Sequence, residues 1–180
     1  MFSYTIKITD NINKNKIGFI SFIYNDKNNK IYISYLNVFN DYKGKGYGTL
    51  LILFSVKYMI DNIYNSYFIK DIKLHDCSDF SGSSNSIYYK LGFRNYDNKN
   101  EDELFVKFFK NNNNNIKTIY DLYDYIYNNN IDKLNTINFK SITFKVNIFN
   151  KNELIKIKDI NFNFNKKIIR KIRITRRSKL

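Results

Sequence analysis

The residues Lys43-Gly44-Lys45-Gly46-Tyr47-Gly48 alternate glycine with lysine or tyrosine. They lie between an apolar extended run, Ile31 to Phe39, and an apolar stretch from Thr49 to Ile60 long enough to be a helix. Glycine costs roughly 0.5–1 kcal/mol in ordered structure, so this density marks a backbone that must turn sharply or approach something closely. With a helix starting near Gly48, the N–H groups of Gly46, Tyr47, Gly48, Thr49 and Leu50 are left unpaired at its first turn. Orphan donors and the helix dipole together attract phosphate there, and Lys43 and Lys45 add charge at the same mouth. The spacing is neither that of a Walker loop, which ends in Gly-Lys-Ser/Thr, nor the Gly-x-Gly-x-x-Gly of a dinucleotide fingerprint. The chemistry it offers is anion holding, although a strand, a glycine turn and a helix also serve as plain fold punctuation.

A second group, His75-Asp76-Cys77 with Asp79 nearby, contains the chain's one histidine and its one cysteine. Histidine's ordinary pKa suits proton transfer near neutrality, which makes His75 a candidate base, with Asp79 or an ordered water as alternatives and a hydrogen-bonded surface histidine as the plain reading. A lone cysteine excludes an intrachain disulfide or a cysteine-cluster metal site, so no metal is expected and a reducing, cytoplasmic or other intracellular setting is the default. A covalent role for Cys77 has no base geometry behind it.

These residues need elements to hold them. Tyr4, Ile6 and Ile8 alternate with polar residues, as a half-buried strand requires. Further strands are read at Ile17 to Tyr24 and Ile31 to Phe39, joined by polar turns into an antiparallel meander that ends at the glycine turn. In the helix that follows, Leu50, Leu51, Phe54, Tyr58 and Met59 share the apolar face, with Thr49, Lys57, Asp61 and Asn62 toward solvent. Ile69 to His75 reads as a strand and Ser84 to Leu91 as a short helix stopped by Gly92. Phe93 to Tyr96 and Leu104 to Lys110 read as a last hairpin. Asn111 to Asn115 is a linker candidate. It divides the chain into 1–110, the linker 111–115, and 116–180, a small appendage or dimerisation element with a helix from Ile116, a strand over Ile142 to Ile148 and looser alternation over Leu154 to Phe164.

The 180 residues are 43% hydrophobic, enough for one substantial core. The formal net charge is +14, and it is uneven: residues 1–110 carry 15 basic against 11 acidic groups, residues 111–180 carry 15 against 5. Lys166 to Leu180 holds basic residues and no acidic one, which points to an anionic partner, nucleic acid or headgroups. No signal run opens the chain, and Leu50 to Ile60 is too short and too interrupted to be a transmembrane segment.

The segment Leu36 to Leu51 resembles the acyl-CoA motif of the GCN5-related N-acetyltransferase (GNAT) superfamily, with Lys43 in the slot of an Arg or Gln and Gly46 and Gly48 in the glycine slots. Downstream, Ile87-Tyr88-Tyr89-Lys90-Leu91-Gly92-Phe93 is similar to the family's tyrosine helix followed by Leu-Gly-Phe. The likeness covers Tyr4 to Phe109. It implies an α+β fold of the GNAT type: a mixed, centrally splayed sheet flanked by helices, here followed by a basic C-terminal extension. The parallel strands 31–39 and 69–75 would separate to admit a pantetheine arm, and acetyl-CoA would be the cosubstrate. Val38 and Phe39 would offer backbone groups to that arm, while Lys43, Gly44, Lys45, Gly46, Tyr47, Gly48 and Thr49 would hold the pyrophosphate. Ser81 stands where the family often has a coenzyme-binding asparagine, and Ser84 stands in a small-residue slot. Tyr88 takes the slot of the proton donor to the departing thiolate, with His75 as the base.

The implied activity is direct transfer of acetyl to a primary amine on a small molecule or protein. Members of the superfamily commonly carry a strand and two helices ahead of the meander, which help shape the acceptor site. Here that wall is left to the C-terminal extension or to a second copy of the chain, a homodimer. The alternative function is a catalytically weak or inactive binding protein of the same fold, using Lys166 to Leu180 for nucleic acid or protein.

Overall fold

The computed structural model describes residues 1–78, 86–96, 102–108, 115–150 and 153–160. Ser81, Ser84, Asp79, most of the Asn111 to Asn115 run and the basic segment Lys166 to Leu180 lie outside them. Three strands open the chain, β1 (Phe2–Asp10), β2 (Lys16–Asn25) and β3 (Lys30–Val38), paired antiparallel as the alternation requires. Helix α1 (Tyr47–Asn62) follows the glycine turn. Strand β4 (Asp71–His75) then pairs parallel to β3, and β5 (Glu103–Lys107) pairs antiparallel to β4. Between them the short helix α2 (Ile87–Lys90) is capped by Ser86. Helix α3 (Ile119–Asn135) and strands β6 (Ile142–Asn150) and β7 (Glu153–Ile160) complete a seven-stranded sheet of order β5-β4-β3-β2-β1-β6-β7.

Strand β6 zips onto the free edge of β1 from Phe2↔Asn150 to Asp10↔Ile142, so residues after the linker extend the sheet built by those before it. The same segment enters the core, where Phe144 stacks on Phe54 of α1 at 4.2 Å between centroids. One turn further along α1, Tyr4 of β1 packs between Phe22 and Tyr58, at 4.9 and 5.8 Å. The mixed sheet and flanking helices are those the sequence predicts.

Helix α1 departs from the expected amphipathic pattern. Every residue from Thr49 to Val56 is buried, and Thr49, expected at the solvent, is 3% exposed. The cause is α3, which packs on α1 from the side away from the sheet and buries Ile119, Leu122, Tyr123, Ile126 and Leu134. A helix covered on two sides needs apolar residues nearly all round. The one buried hydroxyl in its middle, Ser55, donates to the Leu51 carbonyl at 2.8 Å and so carries no unpaired polar group into the core.

Helix α3 starts at a reciprocal cap. Thr118 Oγ1 accepts the Asp121 N–H at 3.2 Å, and the hydroxyl donates to Asp121 Oδ2 at 2.9 Å. Thr118→Ala is expected to cost about 1 kcal/mol and to lower Tm by about 2–4 °C in a chain of this size. Thermal denaturation followed by circular dichroism checks it, and an unchanged Tm would show that the cap contributes nothing.

Candidate active site

Strand β3 is paired along its whole length on one side only. Its parallel ladder with β4 runs Lys30↔Asp71, Ile31↔Ile72, Tyr32↔Lys73 and Ile33↔Leu74, then stops. Ladder pairing to β2 continues to Gly18↔Val38, with a register shift opposite Ser34 where the two strands part. Strand β4 meanwhile stays with β5, the Asp76 N–H donating to the Asp102 carbonyl at 2.8 Å. Beyond Ile33 and Leu74 the two strands no longer pair, which leaves a wedge-shaped free edge on β3 from Ser34 to Val38.

Backbone direction decides which groups face that wedge. The Phe39 N–H donates to the Ile17 carbonyl at 3.0 Å, and the Phe39 carbonyl accepts the Tyr42 N–H at 2.9 Å. Phe39 was expected to offer backbone groups, but its N–H is already engaged and its carbonyl already accepts one bond, while its side chain is 38% exposed. Amides alternate along an antiparallel strand, so Val38 and Leu36 turn theirs the other way, toward the wedge. They have no strand partner there among the described residues.

The glycine turn closes the end of this wedge. Asn40 to Tyr42 make one 3-10 turn, Gly44 and Gly46 take φ of 77° and 90°, and α1 begins at Tyr47 with Gly46 as its cap residue and no side chain capping it. The first intrahelical bond runs from Leu50 N–H to the Gly46 carbonyl at 2.9 Å. The amides of Tyr47, Gly48 and Thr49 are thus left at the helix mouth. Lys43, Gly44 and Lys45 are exposed, and Lys45 Nζ lies 5.8 Å from the Tyr42 ring centroid. The Thr49 side chain is buried, so only its amide belongs to the mouth.

Gly46 is also crowded from α3. A Cβ built on it would stand 3.2 Å from Lys133 Cγ and 3.5 Å from both Ile137 Cδ1 and the Lys133 carbonyl oxygen. Lys133, an exposed residue in the last turn of α3, has its side-chain stem brought against the turn, a neighbour that the linear sequence does not reveal.

Tyr88 sits on α2, half-buried, its ring edge-on to Phe93 at 6.2 Å. Gly48 sits across from this helix, 3.4 Å separating its virtual Cβ from Ile87 Cδ1. The phenol is pushed up to about 12 by desolvation first, then by the nearby Asp76 carboxylate and Cys77. It is a protonated donor at neutral pH. Helix α2 ends as the sequence predicts, with Gly92 at φ 94° and the Phe93 N–H closing back on the Tyr88 carbonyl at 3.0 Å.

Asp76, not singled out from the sequence as a working group, is 1% exposed. Its Oδ1 accepts the Ser78 N–H at 3.0 Å and the Ser78 hydroxyl at 2.6 Å, and its Oδ2 accepts the Ser86 hydroxyl at 2.5 Å. The alternation Ile72, Leu74, Asp76 was a signal that places it on the buried side of the sheet. His75, by the same alternation, points to the opposite face. It is exposed, with Nε2 3.4 Å from Glu103 Oε1 and its ring edge-on to Tyr32 at 6.2 Å. Lys73 Nζ reaches the same Glu103 oxygen at 2.7 Å. Tyr88, Asp76 and Ser86 therefore cluster on the helix-covered side and His75 stands apart from them. Cys77 is a free, exposed thiol. Among the described residues no group of His, Cys, Asp and Glu could hold a metal ion, and no helix is long and apolar enough to cross a membrane.

The acetyltransferase (GNAT) family model matches residues 3–93, half of the sequence, and the chain belongs to that family. Among solved structures it is similar to the PaiA N-acetyltransferase of Thermoplasma acidophilum in complex with coenzyme A, at 27% identity over 53% of this chain and 55% of that one, with a TM-score of 0.42. It is also similar to the spermidine/spermine N-acetyltransferase SpeG of Vibrio cholerae, at 17% identity over 58% of this chain and 66% of that one, with a TM-score of 0.43. The chain spans a little over half the length of the first and about two-thirds of the second. No curated protein matches it.

Proposed function

We propose that the chain moves acetyl from acetyl-CoA to a primary amine by direct attack. The observation that carries this reading is the wedge: β3 runs on to Val38 after its ladder with β4 ends at Ile33 and Leu74, beside a cationic turn lined with amides. The residues fit the coenzyme. An extended pantetheine arm needs strand-like backbone partners, which Leu36 and Val38 offer, and a pyrophosphate needs N–H donors with positive charge.

In this reading Lys43, Lys45 and Lys133, with the amides of Tyr47, Gly48 and Thr49, bind the linked phosphates, and Gly44 and Gly46 shape the turn. Ser81 and Ser84 contribute coenzyme contacts ahead of α2. Acetyl-CoA supplies a thioester carbonyl open to attack and a thiolate leaving group. A C–N bond forms as the C–S bond breaks, the amine gives up a proton and the thiolate gains one. His75 stands on the face away from Tyr88, so the amine's proton passes instead to an ordered water that relays it to bulk. Tyr88 donates to the departing sulfur, a role that its raised pKa keeps available. The C-terminal end of helix α3 walls the turn at Gly46. The basic run Lys166 to Leu180 gives an anionic partner, nucleic acid first, a contact argued on charge alone.

Isothermal titration of the full chain with acetyl-CoA tests the reading, followed by thiol release from acetyl-CoA across a panel of polyamines, aminoglycosides, lysine peptides and free N-termini. Saturable binding and release dependent on one amine class are expected. Folded protein that takes up no acetyl-CoA would overturn it.

A further inference from the structure

We infer that Asp76 is a positioning residue for Tyr88: a buried carboxylate that holds Ser86 and, through it, fixes the amide from which the phenol is presented. The inference rests on the acetyl-transfer reading of the site. A carboxylate taken out of water costs several kcal/mol unless donors replace its hydration. Asp76 has such donors, all of them neutral, and no ion pair is made to it among the described residues. Its two oxygens work in different directions. Oδ1 holds Ser78 in the segment leaving β4, and Oδ2 holds Ser86 at the start of α2. The carboxylate is thus a clamp between the end of β4, which borders the wedge, and the helix that carries Tyr88.

The chain of contacts continues to Tyr88 itself. Ser86 Oγ donates its proton to Asp76 and accepts the Tyr88 N–H at 3.3 Å. A hydroxyl polarised by a carboxylate is the better acceptor, so the two bonds reinforce each other. Helix α2 has four residues and cannot hold itself; its start depends on this clamp, and its end on Arg94, whose Nη1 donates to the Tyr89 and Phe93 carbonyls. The same negative charge favours the protonated phenol, second only to burial. The ionisable groups that act on the Tyr88 phenol are Asp76 and Cys77, both just after β4. Asp76 is the carboxylate among them.

In the full chain, Asp76→Asn is expected to lower kcat about tenfold with the KM for acetyl-CoA near parental, because the amide oxygen still accepts a bond while the charge and half the clamp are lost. In a Tyr88→Phe background the same change should have no further effect, whereas a merely structural Asp76 would lower kcat by the same factor in both backgrounds. Removing the charge should also bring the alkaline fall of kcat to lower pH. Amide hydrogen exchange gives a readout free of activity: Tyr88 N–H exchanges about tenfold faster in Asp76→Asn while α1 amides keep their protection. Exchange at the parental rate, or equal losses of kcat in both backgrounds, overturns the proposal. Ser86→Ala should reproduce the kcat and exchange effects while keeping the buried charge itself, and Ser86→Thr should restore kcat, so misfolding of the aspartate variant leaves the test intact. A fully active Tyr88→Phe would instead remove the role of Tyr88 in acetyl transfer, with the exchange rates left to judge the clamp.

Discussion

Tyr88→Phe is expected to reduce kcat for acetyl transfer about 100-fold, the lower end of what a positioned proton donor contributes, while affinity for acetyl-CoA stays near parental. The phenylalanine keeps the edge-on contact with Phe93 and the hydrogen bond from the residue 88 amide to Ser86, so only the hydroxyl is lost. The pH dependence follows from the direction of the shift. Burial, then Asp76 and Cys77, push the phenol up to about 12, so it remains a donor throughout the neutral and mildly alkaline range. The ratio of parental to variant kcat should therefore be flat below the ordinary tyrosine pKa of 10.0 and shrink only as the parent loses its proton near 12. Stability limits the useful window from the same side. Tyr58 and Tyr123 are also pushed up to about 12, chiefly by burial. A phenol with a raised folded pKa stabilises fully below its unfolded value, and that stability is lost as pH rises toward the folded one. The comparison belongs below pH 10 for that reason, with single-turnover kinetics to ensure that chemistry limits. Equal kcat for parent and variant under those conditions would remove Tyr88 from the reaction.

Much of this site was legible because it depends on local backbone geometry. Glycines at positive φ, an alternating strand before them and an apolar helix after them are written in adjacent residues, and so is Gly92 after the helix of Tyr88, although that helix starts at Ile87 behind a Ser86 cap and not at Ser84. What escaped depends on residues far apart in sequence. Thr49 reads as a solvent position until α3 is laid over α1. Lys133 reads as one polar residue in the asparagine-rich second half of α3, and only the antiparallel packing of α3 on α1 brings it to Gly46. Phe39 reads as a strand residue correctly placed beside the wedge, but periodicity does not say which way an amide points, and its N–H belongs to Ile17. Asp76 stood in view at the end of the pattern Ile72, Leu74, yet a charged residue after a strand reads first as a solvated turn. Its burial becomes visible only with Ser86 folded back onto it.

Gly46→Val should weaken acetyl-CoA binding about 100-fold, or about 2.7 kcal/mol, and two separate costs combine there. At φ 90° a β-branched residue is a backbone outlier wherever it stands. The new Cβ would also press to 3.2 Å from Lys133 Cγ and 3.5 Å from Ile137 Cδ1. The turn can relax by rotating its peptides out of the left-handed region, or α3 can give way at its C-terminal end. The first moves the amides of Tyr47, Gly48 and Thr49 off the helix axis, and the second withdraws Lys133 from the mouth, so both routes spoil the same anion site. Gly44 separates the two costs. It has φ 77° but nothing within 4 Å of a built Cβ, so Gly44→Ala bears only the conformational cost of about 1–2 kcal/mol. Adding Lys133→Ala to Gly46→Val removes the tightest contact, at 3.2 Å, and the cation while leaving φ unchanged, so it should not restore binding. Calorimetric titration with acetyl-CoA reads each variant, and thermal denaturation verifies that the buried length of α1 still holds the fold together. Parental affinity in a folded Gly46→Val protein would mean that the turn's amides do not face the phosphates, and the acetyl-transfer reading would lose its support at the coenzyme end.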